Sequence, residues 1–348
     1  MKVLHLLKSN KFSGAESIVL TIMDIFPEIE MIYASPEGEI REVVESRGHI
    51  FLPLERPSIK AIKNAINRIQ PDIIHAHDFS MATKAAWASK NIPVVAHLHN
   101  NPLWLKKIHP KTLTFAIALP RIKQVISVSK SIEDEYIFRR LMKNKNIVLG
   151  NVVDRENILK KAYKNKNCKP VDLIYIGRMS TAKNPLQFCK IIYEIKKIFP
   201  SVSAYMIGDG ELMAQVKAYI VEHNLNNTIE LLGFKSNPYL YLNVSKLVVM
   251  PSIWEGFGLV AVEGMCLGKP IVCSGVGGLA DIVDDKCGAK CNSLDEYCKV
   301  ICELLQNESI YNMYSQNAIH RSKKYTDMQT YKKKIMMSYK KVLNINLG

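Results

Sequence analysis

Residues 250–268 read Met250-Pro-Ser-Ile-Trp-Glu255-Gly-Phe-Gly-Leu-Val-Ala-Val-Glu263-Gly-Met-Cys-Leu-Gly268. The apolar run Leu247–Met250 just before has the character of a buried strand, and Pro251 stops it. Gly256, Phe257 and Gly258 allow the backbone to turn tightly, and a helix is expected from Leu259 to Cys266. A strand, a glycine turn and a helix start make an anion site, because unpaired amides and the helix dipole converge on one point. Glu255 and Glu263 flank that point. A carboxylate repels phosphate but accepts hydrogen bonds from sugar hydroxyls. The stretch therefore implies a ligand with phosphate in the middle and hydroxylated rings on either side, a description that a sugar nucleotide meets.

Outward from this stretch, strand and helix patterns alternate along all 348 residues, which implies an α/β fold of parallel sheets covered on both faces. The expected strands of the first half are Lys2–Leu7, Met31–Ala34, His49–Leu54, Ile73–His77, Val94–His99, Gln124–Ser129 and Ile147–Leu149. The segment 160–170 is polar, cationic and closed by Pro170, as a linker would be. Alternation restarts at Val171–Ile176 and continues through strands at Ser203–Ile207, Ile229–Leu232 and Ile271–Cys273. Two Rossmann-like domains are expected, residues 1–165 and 166–327, with ligands at the carboxyl ends of their strands.

Composition narrows the class. The chain is 48% hydrophobic and 23% charged, with no apolar run long enough to span a bilayer and no signal-peptide pattern, so a cytoplasmic protein is expected. The net charge of +15 is concentrated in residues 1–165, with 25 Lys/Arg against 16 Asp/Glu, and in residues 320–348, with 8 against 1. Such an excess suits an anionic membrane, a phosphorylated acceptor or nucleic acid. The cations are scattered and the aromatics few, which argues against nucleic acid. All eight cysteines follow residue 167. Cys287, Cys291, Cys298 and Cys302 have metal-like spacing, but Cys298 and Cys302 fall in an amphipathic helical pattern where cysteine packs as a small apolar residue.

Other residues carry chemistry. Gly177-Arg178 ends one strand, and Lys183 follows before a helix, so both cations are expected over the carboxyl edge of the second sheet. Arg178 can clamp two phosphate oxygens in its planar fork while Lys183 adds a point charge, which stabilises a departing diphosphate. In the first half, Ser13-Gly14-Ala15-Glu16 opens a helix. Gly14 there is either the close-approach position for a phosphate or part of a simple cap. His75 and His77, then His97 and His99, each share one side of a sheet; four histidines with Asp78 could ligate a metal, although no metal is expected.

Two glutamates eight positions apart behind a Pro-Ser, together with Arg178 and Lys183, resemble the signature of retaining family 4 type glycosyltransferases (glycosyl transferases group 1). The resemblance implies the GT-B fold, two Rossmann-like domains facing each other across a cleft, and a terminal helix, here within 328–348, that braces the first domain. It implies that Glu263 holds the ribose, that Glu255 faces the transferred sugar, and that Gly256 and the amides of Phe257, Gly258 and Leu259 meet sugar and phosphate. Arg178 and Lys183 would hold the pyrophosphate, with no metal or other cofactor. Gly208 and Gly210 resemble the glycine turn near the nucleotide, Phe234 the segment framing the base, and His99 the histidine that touches the sugar. Two departures stand out: the family more often has glycine where Ser13 stands, and a Glu near Gly277-Gly278.

The resulting expectation is a metal-independent glycosyltransferase of hexosyl type. It would move sugar from a nucleotide-sugar donor, a UDP-sugar, to a lipid-linked saccharide or polysaccharide acceptor in cell-surface polysaccharide or glycolipid synthesis. Domain closure would exclude water. An epimerase of the same fold is the alternative, and a nucleic-acid-binding protein the third reading. The insert 102–123 mixes Trp104, Leu105, Ile108, Leu113, Phe115, Ile117 and Leu119 with Lys106, Lys107, Lys111, Arg121 and Lys123. It reads equally as a peripheral contact with anionic membrane at the cytoplasmic face or as a core helix with a solvated edge.

Overall fold

The computed structural model describes residues 1–164 and 168–345. The chain forms two compact units, Met1–Val152 with Asp327–Gly348, and Val153–Thr326. The expected boundary at 165/166 falls within 165–167, outside the described residues. Part of the expected linker is helical instead: Lys160–Ala162 complete the helix Arg155–Ala162, which Asp154 caps by accepting from the Asn157 amide at 3.0 Å. A local cap outweighs the polar composition there.

In the first unit, seven strands run parallel: β1 (Lys2–Leu6), β2 (Glu30–Ser35), β3 (Ile50–Pro53), β4 (Ile73–His77), β5 (Val94–Leu98), β6 (Ile122–Ser127) and β7 (Asn146–Val148). Their order is β3-β2-β1-β4-β5-β6-β7. The central strands β4 and β5 are buried along their whole length, as near-continuous apolar runs in a doubly covered sheet must be. The helix Met328–Val342 packs on this unit through Tyr331, Ile335, Ser338, Tyr339 and Val342, whose spacing makes one face. Lys333, Lys334 and Lys341 face solvent, and Lys332 pairs with Glu28 at 2.9 Å.

The second unit has six parallel strands: β8 (Val171–Ile176), β9 (Ala204–Ile207), β10 (Ile229–Gly233), β11 (Ser245–Met250), β12 (Ile271–Cys273) and β13 (Gly288–Lys290). Their order is β10-β9-β8-β11-β12-β13. Its apolar core joins Phe188, Ile191, Ile192 and Ile195 of the helix Pro185–Ile198 to the sheet, and includes Cys291. Cys298 and Cys302, on the helix Leu294–Gln306, pack against the same core. Gly277 and Gly278 begin the helix Gly277–Ile282.

The insert divides its apolar residues between two roles. Pro110 starts the helix Pro110–Ala118, as its fixed φ and missing N–H permit, and Phe115, Leu105 and Leu119 are buried. Leu103, Ile108, Leu113 and Ile117 are exposed, the last two one turn apart on the same helix face.

Candidate functional site

Each sheet reverses its strand order once, between β1 and β4 in the first unit and between β8 and β11 in the second. Loops leaving the carboxyl ends of such strand pairs diverge to opposite faces and leave a notch for ligand. Several candidate residues lie on loops leaving the strands at these reversals, while Phe234 follows the edge strand β10.

In the second unit, the loop after β8 carries Arg178 and Lys183, and the loop after β11 carries Glu255 to Gly258. The amide of Ile253 donates to the carbonyl of Ala182 at 2.8 Å, which ties the loops together. Across this tie the Lys183 ammonium pairs with the carboxylate of Glu255, which is nearly buried. Arg178, on the same loop as Lys183, is exposed. The amide of Gly278 donates to the Glu255 carbonyl at 3.1 Å, fixing the turn from the other side. Gly258 caps the helix Leu259–Cys266 with a left-handed φ of 105°. A Cβ there would lie 2.7 Å from Cδ2 of Leu279, so both conformation and space favour glycine. The side chain of Phe257 is buried edge-on to Tyr325, with centroids 5.8 Å apart.

The β9 turn closes against the same edge. Gly208 has φ 131°, and a Cβ on it would stand 1.9 Å from the Gly177 carbonyl oxygen. The amide of Met179 donates to the Asp209 carbonyl at 2.9 Å, and the amide of Gly210 to the Asp209 side chain at 2.7 Å. Phe234, after β10, is 67% exposed. Glu263 lies on the fifth residue of its helix and accepts from the Tyr239 hydroxyl at 3.0 Å. Burial pushes its carboxyl up to about 7, against the opposing effects of the Tyr239 bond and the Lys161 charge.

In the first unit, Gly14 is the first residue of the helix Gly14–Ile25. Ser13 sits at the cap position, but its hydroxyl donates to the buried Glu16 carboxylate instead of capping. Across the β1/β4 reversal, Lys8 and Asp78 pair at 2.9 Å. Asp78 has φ 75° and ψ 157°, a backbone region almost restricted to glycine and one that other residues hold at a cost of about 1–3 kcal/mol. Its amide donates to the His97 carbonyl at 2.9 Å.

The histidines form a stacked ladder. Parallel register sets His5 beside His75 and His77 beside His97, and His99 continues the row. His5 Nδ1 lies 3.0 Å from His77 Nε2, and His77 Nδ1 lies 2.9 Å from His99 Nε2. The Tyr339 hydroxyl lies 2.8 Å from His75 Nδ1. Burial lowers His5 to about 3 and His99 to about 4, the Asp78 charge opposing it at His99. Burial, then the neighbouring imidazoles, holds His75, His77 and His97 well below the ordinary histidine value. All five rings are therefore neutral at neutral pH. His5 was not anticipated, because one histidine on a strand signals nothing until β1 is known to lie beside β4.

Two doubly covered parallel sheets, each with one reversal of strand order, define the architecture of the GT-B fold. A family model described as glycosyl transferases group 1 matches residues 154–321, and one described as glycosyltransferase family 4 matches residues 28–157. An uncharacterized glycosyltransferase of Methanocaldococcus jannaschii is 30% identical over 328 residues, covering 89% of both chains. The chain belongs to the glycosyl transferases group 1 family. An Escherichia coli UDP-Gal:alpha-D-GlcNAc-diphosphoundecaprenol alpha-1,3-galactosyltransferase is 24% identical, covering 91% of each chain. The crystal structure of Anabaena HepE in complex with UDP and glucose superposes with a TM-score of 0.84 at 20% identity, covering 97% of this chain and 99% of that one.

Proposed function

We propose that this glycosyltransferase is a metal-independent, retaining enzyme of hexosyl type that takes sugar from a UDP-sugar and places it on a lipid-linked saccharide or polysaccharide acceptor. The observation that carries the reading is the juxtaposition of Lys183, on the loop that also carries Arg178, with Glu255 just before the glycine-capped helix at the β8/β11 reversal. Arg178 and Lys183 neutralise the diphosphate as the bond from sugar C1 to phosphate oxygen breaks. The acceptor hydroxyl bonds to C1 on the face the phosphate leaves, and its proton passes to the departing phosphate oxygen. No protein nucleophile is required. Glu255 stabilises positive charge on the sugar, Glu263 accepts from the ribose hydroxyls, and His99 faces the sugar.

Gly208, Gly210, Gly256, Phe257, Gly258 and Leu259 supply close backbone approach in this reading, Gly14 does so on the first unit, and Phe234 borders the base. The relatives' names support both ends of the reaction: one contains UDP-Gal and a diphosphoundecaprenol-linked sugar, and a Campylobacter jejuni relative, 25% identical over 293 residues, also names a diphospho-undecaprenol acceptor. Among the described residues no helix is long and apolar enough to cross a membrane. Lipid-linked acceptor is instead met at the cytoplasmic face of the membrane through the exposed Leu103, Ile108, Leu113 and Ile117 with Lys106, Lys107 and Lys111 around them.

The test is a panel of UDP-, GDP- and ADP-sugars incubated with a diphosphopolyprenol-linked sugar in EDTA, the product anomer being read by NMR. Transfer from a UDP-sugar with the α configuration kept is expected. An epimerised donor in the absence of acceptor, or inversion at C1, contradicts the reading.

A further inference from the structure

We infer that His77, His97 and His99 form a binding site for one divalent transition-metal ion of the zinc class. Ligand atoms of the three lie within 4.8 Å of one another at the carboxyl ends of β4 and β5. Zinc–imidazole bonds of about 2.0–2.1 Å put two nitrogens of a tetrahedral site roughly 3.3 Å apart, so the 2.9 Å between His77 Nδ1 and His99 Nε2 needs to open only slightly. His97 is fully buried, and among the described residues neither of its ring nitrogens has a hydrogen-bond partner. A buried polar group without a partner is unfavourable, and a metal ion is one of the few occupants that relieve it without adding a proton.

The rest of the ladder acts as the support that metal-binding histidines require. His5 Nδ1, 3.0 Å from His77 Nε2, engages the nitrogen of His77 that would not face the ion, and so fixes the ring and its tautomer. The shared proton between His77 and His99 need not leave the protein. From His77 it moves to Nε2, toward His5, whose own proton then sits on Nε2; from His99 it moves to Nδ1. Either way three neutral imidazoles present lone pairs and the protein's charge is unchanged. His99 is partly exposed, which gives the ion its entry. The inner trio of His5, His75 and His77 is the weaker candidate, because it is fully buried and His75 Nδ1 is engaged by Tyr339.

The ion is not part of transfer. By engaging His99 it would inhibit transfer, a consequence that rests on the reading of His99 as a sugar contact, whereas binding of the ion does not. Equilibrium dialysis of the full chain with Zn²⁺, followed by zinc-edge X-ray absorption, tests the site directly. One equivalent is expected, with about three imidazole nitrogens near 2.0 Å. His97→Gln or His99→Gln should weaken binding by about 100-fold or more while His75→Gln, folded by circular dichroism, retains it. Sulfur scattering near 2.3 Å would point to the cysteines of the second unit and overturn the assignment. Absence of saturable binding in the wild-type chain would overturn it equally. If zinc binds as expected and transfer is unaffected, the role of His99 fails while the metal site stands.

Discussion

Lys183 and Glu255, 72 positions apart in sequence, are joined as an ion pair at the reversal between β8 and β11. The pair brings together two residues whose roles in the sequence were separate, one on phosphate and one on sugar. On the proposed reading it also holds the cation that meets the departing phosphate in place before any substrate arrives. Preorganised charge of this kind is a large contribution to catalysis because nothing has to reorient during the reaction.

Lys183→Ala is expected to lower kcat by about 10²–10³-fold, the range for removing one fixed donor to a developing anion. Glu255→Gln is expected to fall similarly. Because each residue holds the other, the double variant should lose less than the product of the two single losses. Steady-state rates on the four proteins of the cycle decide this, and strict multiplicativity would mean that the two act independently.

Glu263 gives the enzyme a pH response near neutrality. Its carboxyl is raised to about 7 in the folded chain, so the folded state binds more protons than the unfolded state between about 4.5 and 7. Its contribution to stability is therefore lost as pH rises through that window, amounting to roughly 3 kcal/mol by pH 8. Glu263→Gln should raise the melting temperature at pH 8 and leave it nearly unchanged at pH 4. Hydroxyl groups of a donor favour the ionised carboxylate, so UDP affinity should rise from pH 6 to 8 in the wild type and flatten in the variant. Titration calorimetry at the two pH values measures it; a parallel rise in both proteins would assign the effect elsewhere.

The Gly208 turn has no room for a side chain. Gly208→Ala drives a methyl group against the Gly177 carbonyl at a positive φ, and strain plus overpacking should cost about 2–5 kcal/mol. Urea unfolding of the full chain should show the second unit destabilised, with UDP binding reduced. An unchanged transition would mean that the β8 and β9 turns separate at little cost.

Tyr339 ties the terminal helix to the ladder. Tyr339→Phe keeps the ring packing against Phe26 and removes the partner of His75 Nδ1, for an expected loss of about 1–3 kcal/mol. Thermal unfolding at pH 7.5 checks this, and a wild-type melting curve would show that His75 needs no partner there.

Much of this architecture could be read in the residues. The helix Leu259–Cys266 begins and ends where expected, because glycine marks its start and apolar residues fill it. The helix Glu308–Ser322 was not anticipated: only Ala318 and Ser322 are buried, so its sequence lacks a continuous apolar stripe. Contacts such as Tyr239 with Glu263, and His5 with His77, depend on which strands and helices become neighbours, and no local spacing encodes that. The insert resisted reading for another reason, since its apolar residues serve both as core and as exposed surface.

Calorimetric titration of UDP into the wild-type chain and into Arg178→Ala/Lys183→Ala, in EDTA, bears most directly on the central claim that fixed cations of the second unit grip a nucleoside diphosphate. Micromolar binding in the wild type that weakens by about 100-fold or more in the double variant, with the variant still folded, is the predicted result. Equal affinity in the two proteins, or no UDP binding to the wild type at millimolar concentration, would contradict it.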